Sequence, residues 1–234
     1  MFVTGTDTGV GKTVVAVAIV AALRARGVAV RALKPVLTGL DEPADPVWPR
    51  DHELLAQASG AEPDQVAMVR YGPAVSPHLA GELAGEPIDR DRIRRAIAAR
   101  LPGEGPVIVE GVGGLLVPLA DGYDVRALAA DVGLPLVIAA RPGLGTINHT
   151  LLTLEAARAA GLSVAGVVLT PWPELPERIE LSNRETIARL GQVDVSELTA
   201  IARPEPELLA EAGQQLPLEA WLGRGTVSPC DSDA

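Results

Sequence analysis

The feature that most restricts this chain is the run Gly5-Thr6-Asp7-Thr8-Gly9-Val10-Gly11-Lys12-Thr13. It follows a short apolar stretch, Phe2–Gly5, that reads as a strand. It opens Lys12–Arg26, which reads as a helix ending at Gly27. Strand, glycine-rich loop and helix in that order make an anion cradle, because N–H groups of the loop and of the helix N-terminus face a phosphate. Lys12 is placed to neutralise the outer phosphates of a nucleoside triphosphate, and the Thr13 hydroxyl to bind magnesium. The bland alternative is a glycine-rich turn with no ligand, and Gly-Lys-Thr in this context argues against it. The usual spacing puts a glycine at position 6. Here Thr6 stands there and Gly5 is one residue early, so the loop is a variant type.

Beyond the loop the pattern alternates. Val28–Lys34 reads as a strand closed by Pro35, Gly39–Pro49 as a loop and Asp51–Ser59 as a helix. Pro73–Pro87 reads as mostly irregular, and Ile88–Leu101 as an amphipathic helix. Pro106–Glu110 is apolar enough for a strand buried on both faces. Leu115–Leu119, Leu136–Ala140 and Val164–Thr170 read as further strands. Val125–Val132, Ile147–Ala160, Arg178–Leu190 and Glu205–Ala212 read as helices. The expectation is an α/β fold: one doubly wound, mainly parallel sheet with helices on both faces, of the P-loop NTPase type. One domain over residues 1–222 and a disordered tail over 223–234 are expected. In such sheets ligands sit beyond the carboxyl ends of the strands, where all the motifs below fall.

Charge narrows the function. The net charge of −10 disfavours sequence-independent binding of nucleic acid or of an anionic membrane. A single cysteine, Cys230, fits a reducing cytoplasm, and no apolar run is long enough to span a bilayer. The 20 basic residues include two lysines, Lys12 and Lys34, the rest being arginine. Biased codon usage is one explanation. The other is that these two places need a compact ammonium where a planar guanidinium would not fit.

Lys34 opens Lys34-Pro35-Val36-Leu37-Thr38-Gly39 at a strand end, within reach of the phosphate loop; alternatively it snorkels to solvent. Asp51, read alone, is by default a helix N-cap. Val109-Glu110-Gly111-Val112-Gly113-Gly114 ends an apolar strand in a carboxylate able to hold magnesium, followed by glycines that permit close backbone approach. Gly143-Leu144-Gly145-Thr146-Ile147-Asn148-His149 leads into a helix whose N-terminus suits an anion, though Thr146 and Asn148 serve equally well as caps. His52, His78 and His149 show no metal-ligand spacing.

Taken together, these motifs resemble dethiobiotin synthetases over roughly Phe2 to Asn183. That family's GTDTxVGKT appears as Gly5–Thr13, its KPVxTG as Lys34–Gly39, its VEGAGG as Val109–Gly114 and its LGxINH as Leu144–His149. A Ser-Pro-His match is Ser76–His78. The resemblance implies a magnesium- and ATP-dependent cyclo-ligase that makes dethiobiotin from 7,8-diaminopelargonic acid and CO2 or bicarbonate. Lys12 and Lys34 would be catalytic, and Thr13, Asp51 and Glu110 would hold the metal. Gly9, Val10, Gly11, Lys12, Thr13, Val14, Asp51, Glu110, Gly111, Val112, Gly113, Thr170 and Pro171 would bind the nucleotide. Thr8 and Thr38 would bind the diamine or its carbamate. Leu144, Gly145, Thr146 and Asn148 would bind its carboxylate tail in the other subunit of a homodimer. Thr170 stands where many members have an adenine-reading asparagine. A hydroxyl is a single rotatable group, so base selection is expected to be loose, with other nucleoside triphosphates accepted beside ATP. The competing reading is a nucleotide switch of the partition or septum-positioning ATPase type. Those carry a further lysine early in the loop, where this chain has Thr6 and Asp7.

Overall fold

The computed structural model describes residues 1–223. The tail expected over 223–234 therefore lies outside the described residues apart from Gly223, as does Cys230. The strands are β1 (Phe2–Gly5), β2 (Arg31–Leu37), β3 (Ala67–Arg70), β4 (Val107–Gly114), β5 (Pro118–Ala120), β6 (Tyr123–Asp124), β7 (Leu136–Ala140), β8 (Val164–Trp172) and β9 (Val195–Thr199). The helices are α1 (Lys12–Ala25), α2 (Asp51–Ser59), α3 (Pro63–Val66), α4 (Pro77–Ala84), α5 (Arg90–Ala98), α6 (Val125–Val132), α7 (Thr146–Ala159), α8 (Arg178–Gly191), α9 (Pro206–Gln214) and α10 (Leu218–Leu222). A seven-stranded sheet runs β3-β2-β4-β1-β7-β8-β9, and every pairing in it is parallel. β5 and β6 form a separate antiparallel pair.

The strands are apolar throughout because both faces are covered. Alternate side chains feed two cores. Val3, Ile108, Val137 and Val168 join Ile19 and Leu23 of α1, Leu54 of α2 and Leu209 of α9. Phe2, Val109, Ile138 and Val167 join Ile93 of α5, Leu128 of α6 and Ile187 of α8 on the opposite face. With few aromatics, the first core relies on a run of Ala and Val from Val15 to Ala22 in α1. α9 lies close enough to α1 that a Cβ on Gly213 would fall 2.0 Å from the Ala18 carbonyl oxygen, so glycine is required there.

β1 is central. The chain leaves it through α1 toward β2 on one side, while β7 leads on to β8 on the other. That reversal opens a crevice at the carboxyl ends of the central strands, where α1 begins.

Several expectations are corrected. Pro35 does not close β2 but lies within it. Pairing with β4 ends at Leu33↔Val109, so the missing proline N–H breaks no bond of that ladder. The irregular stretch expected over Pro73–Pro87 contains α4. Pro77 starts it at a position where a fixed φ is favourable, and Gly85 ends it at φ 67°. The strand expected over Leu115–Leu119 is the shorter β5, which begins three residues later and ends one residue later. α3, β3, β6, β9 and α10 are additional.

At the far end of the sheet Arg31, the first residue of β2, closes the turn between α5 and β4. Its guanidinium donates to the carbonyls of Arg100 and Pro102 (2.7 Å each), Leu101 (3.1 Å), Gly103 and Gly105 (3.3 Å each). Replacing Arg31 with Ala leaves those carbonyls without their shared donor. The expected loss is about 2 kcal/mol of stability, read from urea unfolding, with kcat/KM unchanged because the clasp is remote from the crevice.

Candidate active site

Glu110 anchors the crevice. It sits in β4 with 0% exposure. Its Oε1 accepts from Thr13 Oγ1 at 2.9 Å and from Lys34 Nζ, while its Oε2 has no partner among the described residues. Lys34 also donates to Asp51 Oδ2 at 2.7 Å. These groups come from four elements: β4, the N-terminus of α1, β2 and the N-terminus of α2. Burial raises the Glu110 carboxyl above its ordinary range, and Lys34 opposes this. Burial also works against the Lys34 charge, but Asp51 and Glu110 outweigh it and hold that pKa above the usual lysine value. The same ammonium, with Thr13, keeps Asp51 low against the cost of its own burial.

The phosphate loop is pre-formed. No backbone carbonyl accepts from the N–H groups of residues 9 to 13 among the described residues, so they remain available to an anion. Gly11 has φ 88° and is pressed against Thr170, whose Cγ2 would lie 2.7 Å from any Cβ there. Lys12 is buried, and its Nζ donates to the Asp7 carbonyl at 2.9 Å. Burial, and then the nearby Lys34, lower its pKa to about 8.

Thr8, Gly9, Gly11, Lys12, Thr13, Val14, Lys34, Thr38, Asp51, Glu110, Val112 and Gly113 line one cavity of about 680 Å³. Other predicted residues lie outside its wall. Val10 is buried under the loop, and Gly111 packs on Phe2 and Val125. Thr170 is 2% exposed and buttresses Gly11, and Pro171 follows it across a cis peptide. Leu144, Gly145 and Asn148 are exposed, and buried Thr146 approaches Thr150 at 3.4 Å between hydroxyl oxygens. The capping alternatives also resolve. Arg50, not Asp51, is the N-cap of α2, and Gly145 is that of α7 with no side-chain bond.

Sequence reasoning missed Asp45, Trp48 and Pro49, which line the cavity from the loop before α2, and Leu37 and Leu54, which also line it. It also missed Arg50, which donates to the carbonyls of Gly39 (3.1 Å) and Glu42 (2.9 Å) and so folds that loop over the site. No periodic pattern marks such residues. Only the proximity of Arg50 to Asp51 was a signal.

The donor set suits a hard divalent cation: two carboxylates and a hydroxyl, with Glu110 Oε2 unpartnered. Among the described residues no cluster of three or more His, Cys, Asp or Glu converges. Such a site has to draw its remaining ligands from phosphate and water, which is the habit of magnesium.

Residues 1–203 match the model of a family described as an AAA domain. An ATP-dependent dethiobiotin synthetase of Haloferax mediterranei is 39% identical over 98% of this chain and 96% of its own length. One from Anaeromyxobacter dehalogenans is 44% identical over 81% of this chain and 84% of its own. This chain belongs to the dethiobiotin synthetase family. Its fold is shared more widely. A ParA family ATPase from Chlorobium tepidum superposes with a TM-score of 0.52 at 12% identity, covering 97% of this chain and 95% of that one. An apo McdA structure gives 0.51 at 13%, covering 90% and 89%. At that identity the likeness concerns architecture alone. No helix among the described residues is long and apolar enough to cross a membrane.

The lowered Lys12 pKa gives this family member a testable pH signature. A phosphate anion stabilises the charged ammonium, so its pKa rises on binding and protons are taken up between the free and bound values. With a free value of about 8, ATP affinity is expected to fall as pH rises above 8. Calorimetry at pH 8.5 in buffers of different ionisation enthalpy should show net proton uptake. An affinity that stays flat from pH 7 to about 9.5, beyond the correction for ATP itself, contradicts this.

Proposed function

We propose that this chain makes dethiobiotin from 7,8-diaminopelargonic acid, CO2 and ATP. The observation that carries the reading is the convergence of Lys12, Lys34, Thr13, Asp51 and Glu110 beside a loop of free N–H groups, in a chain that matches named synthetases along nearly their whole length. One amine of the substrate captures CO2 as a carbamate. A carbamate oxygen attacks the γ-phosphorus of ATP, ADP leaves, and a carbamic-phosphoric anhydride forms. The second amine then attacks the carbonyl carbon, closes the ureido ring and expels phosphate.

The reaction brings one anion against another. Lys12 and Lys34 screen that repulsion and stabilise the charge that gathers on the transferred group. Thr8 and Thr38, on the cavity wall, hydrogen-bond the diamine or carbamate. Thr13, Asp51 and Glu110 would hold magnesium, which when bound would supply positive charge to offset that of the phosphates. Positioning and electrostatics carry most of the rate, and no paired general acid and base is needed. Thr170 sits behind the loop, so we assign it to supporting Gly11, with loose discrimination among bases.

The active form is proposed to be a cytoplasmic homodimer. Leu144 is 94% exposed and Asn148 faces solvent, which leaves both free to meet the substrate's carboxylate tail in another subunit's site. Leu116 and Leu152, both exposed, line a depression that also includes Thr6 and Asp7 of the phosphate loop. An apolar face of this kind beside the loop suits a second copy of the chain.

Phosphate release should require both the diamine and bicarbonate. Turnover indifferent to them favours a nucleotide switch instead. Lys34→Arg should lower kcat about a hundredfold while nucleotide still binds, because a guanidinium does not fit between Asp51 and Glu110. Near-normal turnover in that variant removes Lys34 from the mechanism.

The dimer makes a separate prediction. Equal amounts of Asn148→Ala and Lys12→Ala chains, allowed to exchange subunits, should regain activity corresponding to roughly a quarter of the sites. Neither homodimer retains an intact site, whereas each heterodimer has one. Heterodimers that form yet stay inactive place Asn148 outside the partner's site.

A further inference from the structure

We propose that Arg141 is a positioning residue for the nucleotide, orienting the Gly9–Val10 peptide so that its N–H faces the phosphates. The inference rests on Gly5–Thr13 being the triphosphate site. Arg141 directly follows β7, and its Nη2 donates to the Gly9 carbonyl at 3.1 Å, across 132 residues of sequence. No carboxylate pairs with it among the described residues. The two residues after it are held from elsewhere: buried Asn183 of α8 donates to the carbonyls of Pro142 (2.8 Å) and Gly143 (3.1 Å).

A trans peptide holds its C=O and N–H on opposite sides of one plane. With the Gly9 oxygen on the guanidinium, the Val10 N–H is turned the other way, and it donates to no backbone carbonyl. The Val10 side chain, 3% exposed beneath the loop, limits rotation of that plane from the other end. A cation on the carbonyl also polarises the peptide and makes the N–H a stronger donor.

The loop repeats the arrangement. Lys12 Nζ engages the Asp7 carbonyl as Arg141 engages that of Gly9. Two oxygens that would repel a phosphate are thus each covered by a positive side chain. When Lys12 turns to the nucleotide, Arg141 remains the cation holding the loop's shape.

The test compares wild type with Arg141→Ala, Arg141→Gln and Lys12→Ala. Binding of magnesium and a non-hydrolysable ATP analogue is measured by calorimetry, beside steady-state KM for ATP, kcat and the unfolding midpoint. Arg141→Ala should weaken binding and raise KM about tenfold, the effect of one charge-assisted hydrogen bond, with kcat less affected. The midpoint should not move, because the side chain is exposed. Arg141→Gln should recover part of the affinity, since a neutral amide still donates to the Gly9 oxygen. Affinity within twofold of wild type in the alanine variant, or no recovery with glutamine, overturns the proposal. If Lys12→Ala also binds normally, the phosphate-loop reading itself has failed; if only Lys12→Ala binds weakly, that reading stands without Arg141.

Discussion

A carboxylate with no access to water must be met by donors or a cation, and Glu110 sets that demand at the centre of this molecule. The answer comes from separate parts of the chain: Lys34 from β2, Thr13 from the start of α1, and Asp51, through Lys34, from α2. That meeting is possible because β2 and β1 flank β4 in the sheet. Removing Lys34 leaves the buried Glu110 carboxylate without its cation, at a cost of about 3–5 kcal/mol. The parallel order of the central strands and the chemistry at their ends are therefore one constraint seen at two scales.

The Lys34 ammonium pairs with Glu110 Oε1 and Asp51 Oδ2, on the two carboxylates proposed to hold a divalent ion, and leaves Glu110 Oε2 unpartnered. The chain thus supplies its own counter-charge to the acidic pair. In the proposed reaction the ammonium is needed on the substrate side, where the carbamate approaches. Its two demands are met by a flexible stem ending in a compact charge, which is the physical reason for lysine over arginine at this place.

Much of this was legible in the sequence, for identifiable reasons. Asp51–Ser59, Val125–Val132 and Leu136–Ala140 were read with their observed bounds. Two of them end at glycine, and Asp124 caps the second by accepting from the Ala127 N–H. The phosphate loop was legible because it follows a strand, and Lys34 and Glu110 because each is a charge set in an apolar run that a strand, β2 or β4, does not otherwise need. The parts not foreseen depend on tertiary context. Pro35 is tolerated in β2 only because the β4 ladder has already ended. β9 is an edge strand whose half-buried residues, such as Val195 and Ser196, dilute its alternation. Arg50 and Arg141 act through carbonyl oxygens, which every residue has, so no partner marks them in the sequence.

The Arg31 clasp lies at the end of the sheet away from the crevice, and the two ends answer to different requirements. One end gathers carbonyls around a single cation to make a stable turn. The other keeps its N–H groups and carboxylates ready for ligands. Variation around the clasp is felt as folding yield and shelf life, and variation around the crevice as chemistry and stability together. An engineer wanting a hardier catalyst can therefore work at the first end, screening by heat alone, and leave the second untouched.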